Sequence, residues 1–114
     1  MYEKILQRMR TLFPKHSMLF IGPGDMPMRE KLASNPFVKT FNEKLKKTAL
    51  KNGCAYFDVY RFMGGEGSLR KWVKNKLASE DGHFTNEGRK LLAREIINEL
   101  LLSYHLFWLK KNGL

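Results

Sequence analysis

The sequence predicts an α/β fold in which a βαβ unit with two parallel strands is flanked by helices. Two short segments rich in apolar and β-favouring residues, 17–21 and 54–60, are typical of strands in such a sheet. A helical pattern lies between them, and a crossover of this kind makes the two strands parallel. The chain has 114 residues, of which 43% are hydrophobic, so we expect residues 1–114 to form a single domain with a buried core.

The first helix is predicted at the beginning of the chain, and Pro14 ends it. Its apolar residues recur at three- and four-residue steps, which puts them on one side: they are Tyr2, Ile5, Leu6, Met9, Leu12 and Phe13. The strand at residues 17–21 follows and is closed by Gly-Pro-Gly. Residues 22–36 contain three prolines and two glycines, so we expect a loop with one short helical turn.

The crossover helix is expected to end at Asn52-Gly53, where glycine can adopt the left-handed conformation that closes a helix. Its apolar stripe consists of Phe37, Phe41, Leu45 and Leu50, with Ala49 beside Leu50. The second strand follows directly at residues 54–60.

A glycine-rich turn at residues 64–67 leads into a short helix with Ser68 as its expected N-cap. The inner side of that helix is predicted to carry Leu69, Trp72, Val73 and Leu77. Residues 79–85 form a loop in this prediction, and Thr85 or Asn86 caps a long last helix. The most apolar part of that helix, residues 96–109, is interrupted by polar residues and is too short to span a membrane, so we expect it to be buried.

The composition argues against several classes of function. The net charge of +10 could indicate a nucleic-acid partner, but the run Lys44-Leu45-Lys46-Lys47 lies in a helical pattern and favours a solvated face. Cys54 is the one cysteine, and no cysteine or histidine lies at metal-ligand spacing, so neither a metal site nor a cofactor is predicted. The beginning of the chain lacks the apolar core of a secretory signal.

Two parallel strands alone make a marginal sheet, because such a sheet needs cover on both faces and partners at its edges. We therefore expect a missing partner for this unit. A preceding half of the protein, a separate chain, or a second copy that pairs through its exposed strand edge could supply it.

Parallel α/β sheets bind ligands beyond the carboxyl ends of their strands, and His83 is the histidine predicted to lie there in a polar loop. Glu80 and Asp81 precede it by three and two residues, close enough for either carboxylate to fold back onto the imidazole. Such a pair can act as a general base, although an acid beside a histidine also occurs in ordinary solvated loops.

The order of these segments resembles that of the SGNH (GDSL-like lipase/acylhydrolase) family over residues 2–102. Residues 81–88, Asp-Gly-His-Phe-Thr-Asn-Glu-Gly, are similar to the last catalytic block of that family, Asp-x-x-His followed by Phe-Thr and a glycine. Residues 63–73, with Gly-Gly-x-Gly-Ser and Trp-Val, are similar to a branch of bacterial cell-envelope esterases.

The resemblance covers only the C-terminal half of the family's domain and implies part of a flavodoxin-like three-layer sandwich. It implies a serine ester hydrolase acting on carboxylic or acetyl esters, with His83 as the base. The acid is Glu80 by the family's spacing and Asp81 by its usual identity, and we favour Asp81. The branch implies a periplasmic or cell-envelope location and no cofactor.

The chain departs from the family in one important respect. The Gly-Asp-Ser block, the oxyanion glycine and the Gly-x-Asn-Asp block precede, in the family, the helix with which this chain begins. Gly24-Asp25-Met26 is only superficially similar to Gly-Asp-Ser, and Ser68 is better explained as a helix cap than as a nucleophile. We therefore expect the isolated chain to be inactive. The alternatives are a non-catalytic remnant that associates through its strand edge and, less favoured, a basic nucleic-acid-binding protein.

Overall fold

The computed structural model describes residues 2–28 and 31–113, and the side chains of residues 31–33 lie outside that description. Within those residues the chain forms, in order, α1 (Tyr2–Leu12), β1 (Leu19–Ile21), β2 (Pro27–Met28), β3 (Lys31–Ser34), α2 (Pro36–Lys51), β4 (Ala55–Phe57), α3 (Val59–Met63), α4 (Ser68–Lys74) and α5 (Asn86–Lys111).

The central sheet confirms the predicted α/β fold. Strands β1 and β4 pair in parallel, with Phe20 opposite Tyr56, and helix α2 lies in the connection between them. Helices flank this βαβ unit, so the observed architecture is a partial α/β sandwich.

The segment at residues 22–36 differs from its prediction. Instead of a loop with a helical turn, its described residues form an antiparallel hairpin of β2 and β3, and residues 29 and 30 lie outside the description. The Asn35 amide donates to the Met26 carbonyl at 2.9 Å and closes the base of this hairpin. The prolines that suggested a loop are compatible with it, since proline is tolerated at the beginning of an edge strand.

The second strand is shorter than residues 54–60. It ends at Phe57 because the Asp58 side chain accepts a hydrogen bond from the Arg61 amide at 2.9 Å and so caps helix α3. The apolar residues Val59 and Tyr60 are therefore helical, and both are buried.

Two apolar clusters lie against the sheet. The first contains the buried residues Leu6, Ala49 and Cys54, and it includes the rings of Phe20 and Tyr56, whose centroids are 5.9 Å apart. Phe57 packs against the second cluster, which consists of Val59, Met63, Leu69, Trp72, Ala78 and Leu92. The second cluster supports the loop that carries His83.

Helix α2 buries a face that overlaps the predicted stripe only at Leu45 and at Ala49, the neighbour of Leu50. Its buried residues are Val38, Asn42, Leu45 and Ala49, whereas Phe37, Phe41 and Leu50 are exposed. The polar Asn42 can be buried because Tyr56 and Asp58 satisfy its side-chain amide. A pattern of apolar residues alone could not show that the polar Asn42 is buried while apolar residues of the predicted stripe are exposed.

Helix α5 begins where predicted, with Thr85 as its N-cap, but the expected burial of residues 96–109 is wrong. The buried residues of α5 are Gly88 and Leu92, and most of its large apolar side chains beyond them are exposed. A helix of 26 residues is about 39 Å long, and it extends past the small two-stranded sheet. The radius of gyration of 16.2 Å, compared with about 13 Å for a compact chain of this length, agrees with that shape.

None of the helices described here combines the length and the apolar character that crossing a membrane requires.

Candidate functional site

His83 lies on a short closed loop between α4 and α5. Ala78 and Phe84 form an antiparallel bridge, and the Ser79 amide donates to the His83 carbonyl at 2.8 Å. Gly82 has a φ of 92°, in the left-handed region that glycine adopts most readily. The Phe84 ring packs against Trp72 with centroids 5.6 Å apart, so the base of the loop is fixed in the second core cluster.

The imidazole of His83 is paired with Asp81. His83 Nδ1 lies 2.8 Å from Asp81 Oδ2, while Asp81 Oδ1 accepts from the Ser79 hydroxyl at 2.7 Å and from the His83 amide at 3.1 Å. These hydrogen bonds, with that from Ser79 the largest contribution, lower the pKa of Asp81 to about 2. An ionised Asp81 favours the tautomer with its proton on Nδ1 and leaves Nε2 as the acceptor.

Glu80, the alternative acid, is not brought to the imidazole. In the described part of the chain no hydrogen bond joins Glu80 to His83, whereas Asp81 Oδ2 lies 2.8 Å from His83 Nδ1. The backbone turn at Gly82 brings the nearer carboxylate back onto the ring, so the geometry pairs His83 with Asp81 and leaves Glu80 aside.

The loop of His83 packs against the segment that follows β1. A Cβ atom on Gly82 would lie 3.1 Å from Pro27 Cδ, and one on Gly24 would lie 3.1 Å from the Phe84 ring. The loop that carries His83 therefore lies beside the segment that follows the carboxyl end of β1, and the predicted topology places ligands beyond that end of the sheet. Its side chain is 83% exposed and accessible from solvent.

Asp25 anchors this segment, and the sequence interpretation of Gly24-Asp25-Met26 as a simple loop turn missed it. Asp25 is only 1% exposed, its two carboxyl oxygens accept from the Ser34 hydroxyl at 2.6 and 2.8 Å, and Oδ2 also accepts from the Leu69 amide at 2.9 Å. It joins the loop after β1 to the beginning of α4. No sequence signal predicts this role, because the Leu69 amide that donates to Asp25 lies 44 residues further along the chain.

Ser68 does not act as predicted. The N-cap of α4 is Gly67, with a φ of 81°, and the Ser68 side chain makes no capping bond. Its hydroxyl is buried and has no hydrogen-bond partner among the described residues, so His83 does not contact it. The described residues thus present a histidine and an acid, without a serine hydrogen-bonded to the imidazole.

A second polar group lies beyond the sheet at the same end. The Tyr56 hydroxyl donates to Asn42 Oδ1 at 2.6 Å, and Asn42 Nδ2 donates to Asp58 Oδ1 at 2.9 Å. Burial, together with the charge of Asp58, raises the pKa of Tyr56 to about 12, so its hydroxyl remains a donor. A Cβ atom on Gly22 would overlap that hydroxyl. These hydrogen bonds connect the end of β4 to α2.

A cavity of about 640 Å³ lies between β4 and α5. Its lining includes Lys46, Asp58, Arg61, Glu95 and Glu99 but not His83 or Asp81. It is therefore separate from the histidine loop. No group of three or more potential metal ligands is found in residues 2–28 and 31–113.

No protein-family model matches the chain, and no curated protein sequence matches it significantly. Among solved structures, that of a peptidoglycan O-acetylesterase matches with a TM-score of 0.72 and 20% sequence identity, over 90% of this chain and 31% of the other. At this identity the match establishes the fold. The chain therefore has the fold of about one third of that esterase.

Proposed function

We propose that this chain is the C-terminal portion of an SGNH/GDSL-type serine ester hydrolase and that it contributes the histidine base and its acid partner. The observation that carries the proposal is the 2.8 Å contact between His83 Nδ1 and Asp81 Oδ2, on an exposed loop near the carboxyl end of β1. The fold shared with part of a peptidoglycan O-acetylesterase supports the same reaction class.

The geometry suits His83 to proton transfer. A serine hydroxyl that attacks an ester carbonyl must lose its proton, and His83 Nε2 would accept it. The hydrogen bond from Nδ1 to Asp81 would hold the ring in that orientation and stabilise the imidazolium. The imidazolium would then protonate the departing alcohol. The serine comes from sequence outside residues 1–114, so the isolated chain is expected to show no esterase turnover.

The substrate class is a carboxylic ester, and an acetyl ester is the first choice. The matching solved structure is an O-acetylesterase, and the resemblance in residues 63–73 is to cell-envelope esterases. The proposal needs no metal or cofactor, because the hydrolysis requires only a nucleophile, a base and oxyanion donors.

The test uses the protein in its source cells. An affinity tag is added to the chain in its natural context, the tagged species is captured, and hydrolysis of p-nitrophenyl acetate is measured. His83→Gln is expected to lower kcat by about 10²–10⁴-fold with little change in KM, because it removes the base and not the binding surface. Unchanged activity in the His83→Gln species would overturn the proposal.

A matched pair of variants separates the two candidate acids in the same assay. Asp81→Asn is expected to lower kcat by about 10²-fold or more, since the neutral amide no longer favours the productive tautomer. Glu80→Gln removes an equivalent charge from the next residue and is expected to leave kcat unchanged. The reverse result would assign the role to Glu80.

A further inference from the structure

The free edge of strand β1 carries backbone groups that have no strand partner in the described part of the chain. On its other side, the Met18 carbonyl accepts from the Ala55 amide at 2.8 Å, and the Gly22 amide likewise donates to β4 at 3.0 Å. Every second residue from Met18 to Gly22 therefore bonds to β4, and the N–H and C=O groups of Leu19 and Ile21 point away from it. A further strand could pair with these groups.

An apolar groove lies beside this free edge. Its lining includes Tyr2, Ile5 and Met9 of α1 together with Leu19 of β1, and none of the described residues that line it carries a charge. Tyr2, Ile5 and Met9 are between 42% and 49% exposed. Helix α1 therefore leaves apolar surface uncovered next to unpaired backbone groups, and a segment that fills the groove must be apolar.

The outer edge of β4 has a different character. The cavity of about 640 Å³ reaches from Lys46 of α2, on one face of the sheet, to Glu95 and Glu99 of α5 on the other, so it passes this edge. Lys46 Nζ lies 3.9 Å from Asp58 Oδ2 in the same lining. Charged side chains beside an edge strand protect it from pairing with further strands. Of the two edges, that of β1 is therefore the one suited to a further strand.

The positions of α1 and α2 select the same edge. Both helices lie on one face of the sheet, because Leu6 of α1 and Ala49 of α2 belong to the apolar cluster that includes Phe20 of β1. Helical connections between parallel strands are almost always right-handed. Since α2 leads from β1 to β4, a strand that leads through α1 into β1 must lie on the other side of β1 and run parallel to it.

We propose that a parallel strand from outside residues 1–114 pairs with the free edge of β1 and fills the groove beside α1. The strand is apolar on both faces, as buried strands of parallel sheets are. Its backbone bonds to Leu19 and Ile21 and its side chains contact Tyr2, Ile5 and Met9. A second copy of the chain is a poorer occupant, because each copy has a net charge of +10. The proposal depends on the sheet topology and is independent of His83 and of esterase activity.

Hydrogen exchange of single amides tests the pairing. The tagged chain captured from its source cells is compared with the purified 114-residue chain. We expect the Leu19 and Ile21 amides to exchange at least tenfold more slowly in the captured species, because they become hydrogen-bond donors to the added strand. Equal exchange of these two amides in the two samples would overturn the proposal.

The Tyr56 amide is the internal control in the same experiment. It points to the outer edge of β4, since the hydrogen bonds of its neighbours Ala55 and Phe57 are made to β1. We expect it to exchange at the same rate in both samples. Protection of Tyr56 in place of Leu19 and Ile21 would show that the strand is added at β4 and would overturn the proposal.

A matched pair of variants tests the groove. Ile5→Glu places a carboxylate in it and is expected to restore fast exchange of the Leu19 and Ile21 amides in the captured species. Leu50→Glu alters a residue of α2 that is 55% exposed, against 49% for Ile5, and should leave their protection unchanged. Protection that survives Ile5→Glu would overturn the assignment of the groove. Protection that appears in the purified chain as its concentration rises would do the same, because a second copy would then occupy the edge.

Discussion

Ser79 helps to position the carboxylate of Asp81 that contacts the His83 imidazole. Its hydroxyl donates to Asp81 Oδ1, which leaves Oδ2 directed at the imidazole. Three donors of this loop, the Ser79 hydroxyl, the His83 amide and His83 Nδ1, converge on the carboxylate of Asp81. Because the loop is exposed, this alignment depends on the ionised state of Asp81 rather than on burial.

Acid should release this alignment within a defined range of pH. The pKa of Asp81 is lowered to about 2, from about 3.9 in an unfolded chain. A lowered pKa in the folded state means that the contribution of Asp81 to loop stability is complete above about pH 4 and is lost as the pH falls towards 2. We expect the amide resonance of His83 to titrate with a midpoint near pH 2.

Asp81→Asn serves as the control for that titration, since an amide cannot ionise. The transition should then disappear from the His83 amide. A midpoint near 4 in the unmodified chain would contradict the hydrogen-bonded arrangement, because an exposed aspartate without these donors titrates near its ordinary value.

At this scale the sequence predicted a histidine with a nearby acid, and it favoured Asp81 over Glu80 only through the family resemblance. The pairing with Asp81 depends on the backbone turn at Gly82, whose φ of 92° brings the Asp81 carboxylate back towards the His83 ring. The structural role of Asp25 could not be predicted from the sequence. Its partners Ser34 and Leu69 come together only in the tertiary structure.

Among the secondary-structure elements, the first turn of α5 makes the closest backbone contact with the rest of the fold. Gly88 is buried at its first turn, and a Cβ atom there would overlap the Leu77 carbonyl oxygen. The glycine of the segment Phe-Thr-Asn-Glu-Gly is therefore explained by close approach of the helix to the backbone of the His83 loop. The Thr85 hydroxyl, which accepts from the Gly88 amide at 3.2 Å, fixes the same turn.

Gly88→Ala is expected to lower the free energy of unfolding by about 1–3 kcal/mol, the usual cost of overpacking a close contact. Intrinsic helix propensity alone would give the opposite sign, a gain of about 1 kcal/mol. Urea denaturation followed by circular dichroism measures the difference. Ala93→Gly, at an exposed position of the same helix, is the control and should cost about 1 kcal/mol from propensity. A more stable Gly88→Ala chain would contradict the close contact.

Helices α1, α2, α4 and α5 and the two parallel strands could be predicted because their signals are local, whereas α3 could not, since it begins inside the apolar run predicted as a strand. Apolar periodicity, Pro14 and Asn52-Gly53 mark positions where the structure agrees with the sequence. The hairpin of β2 and β3 could not be predicted, because it depends on pairing across a proline-containing segment. The buried face of α2 could not be predicted either, because it depends on the hydrogen bonds of Asn42. The exposure of residues beyond Leu92 depends on the small size of the sheet, which periodicity does not report.

For the whole molecule, the most informative feature is the small size of the central sheet. In the described part of the chain it has two strands, and both outer edges lack a strand partner. The chain spans about a third of the solved esterase that it matches. We therefore propose that the missing strands and the serine nucleophile belong to the same complementary part of the protein, with pairing of two copies through a strand edge as the alternative for the sheet alone.

The most direct test of this account is to locate the reactive serine. Source cells are treated with a fluorophosphonate, which labels activated serines, the species containing this chain is captured with an antibody, and the labelled residue is mapped by mass spectrometry. We expect the label on a serine outside residues 1–114 and its loss in cells carrying His83→Gln. A label on a serine within residues 1–114, or a captured species that carries no label, would contradict it.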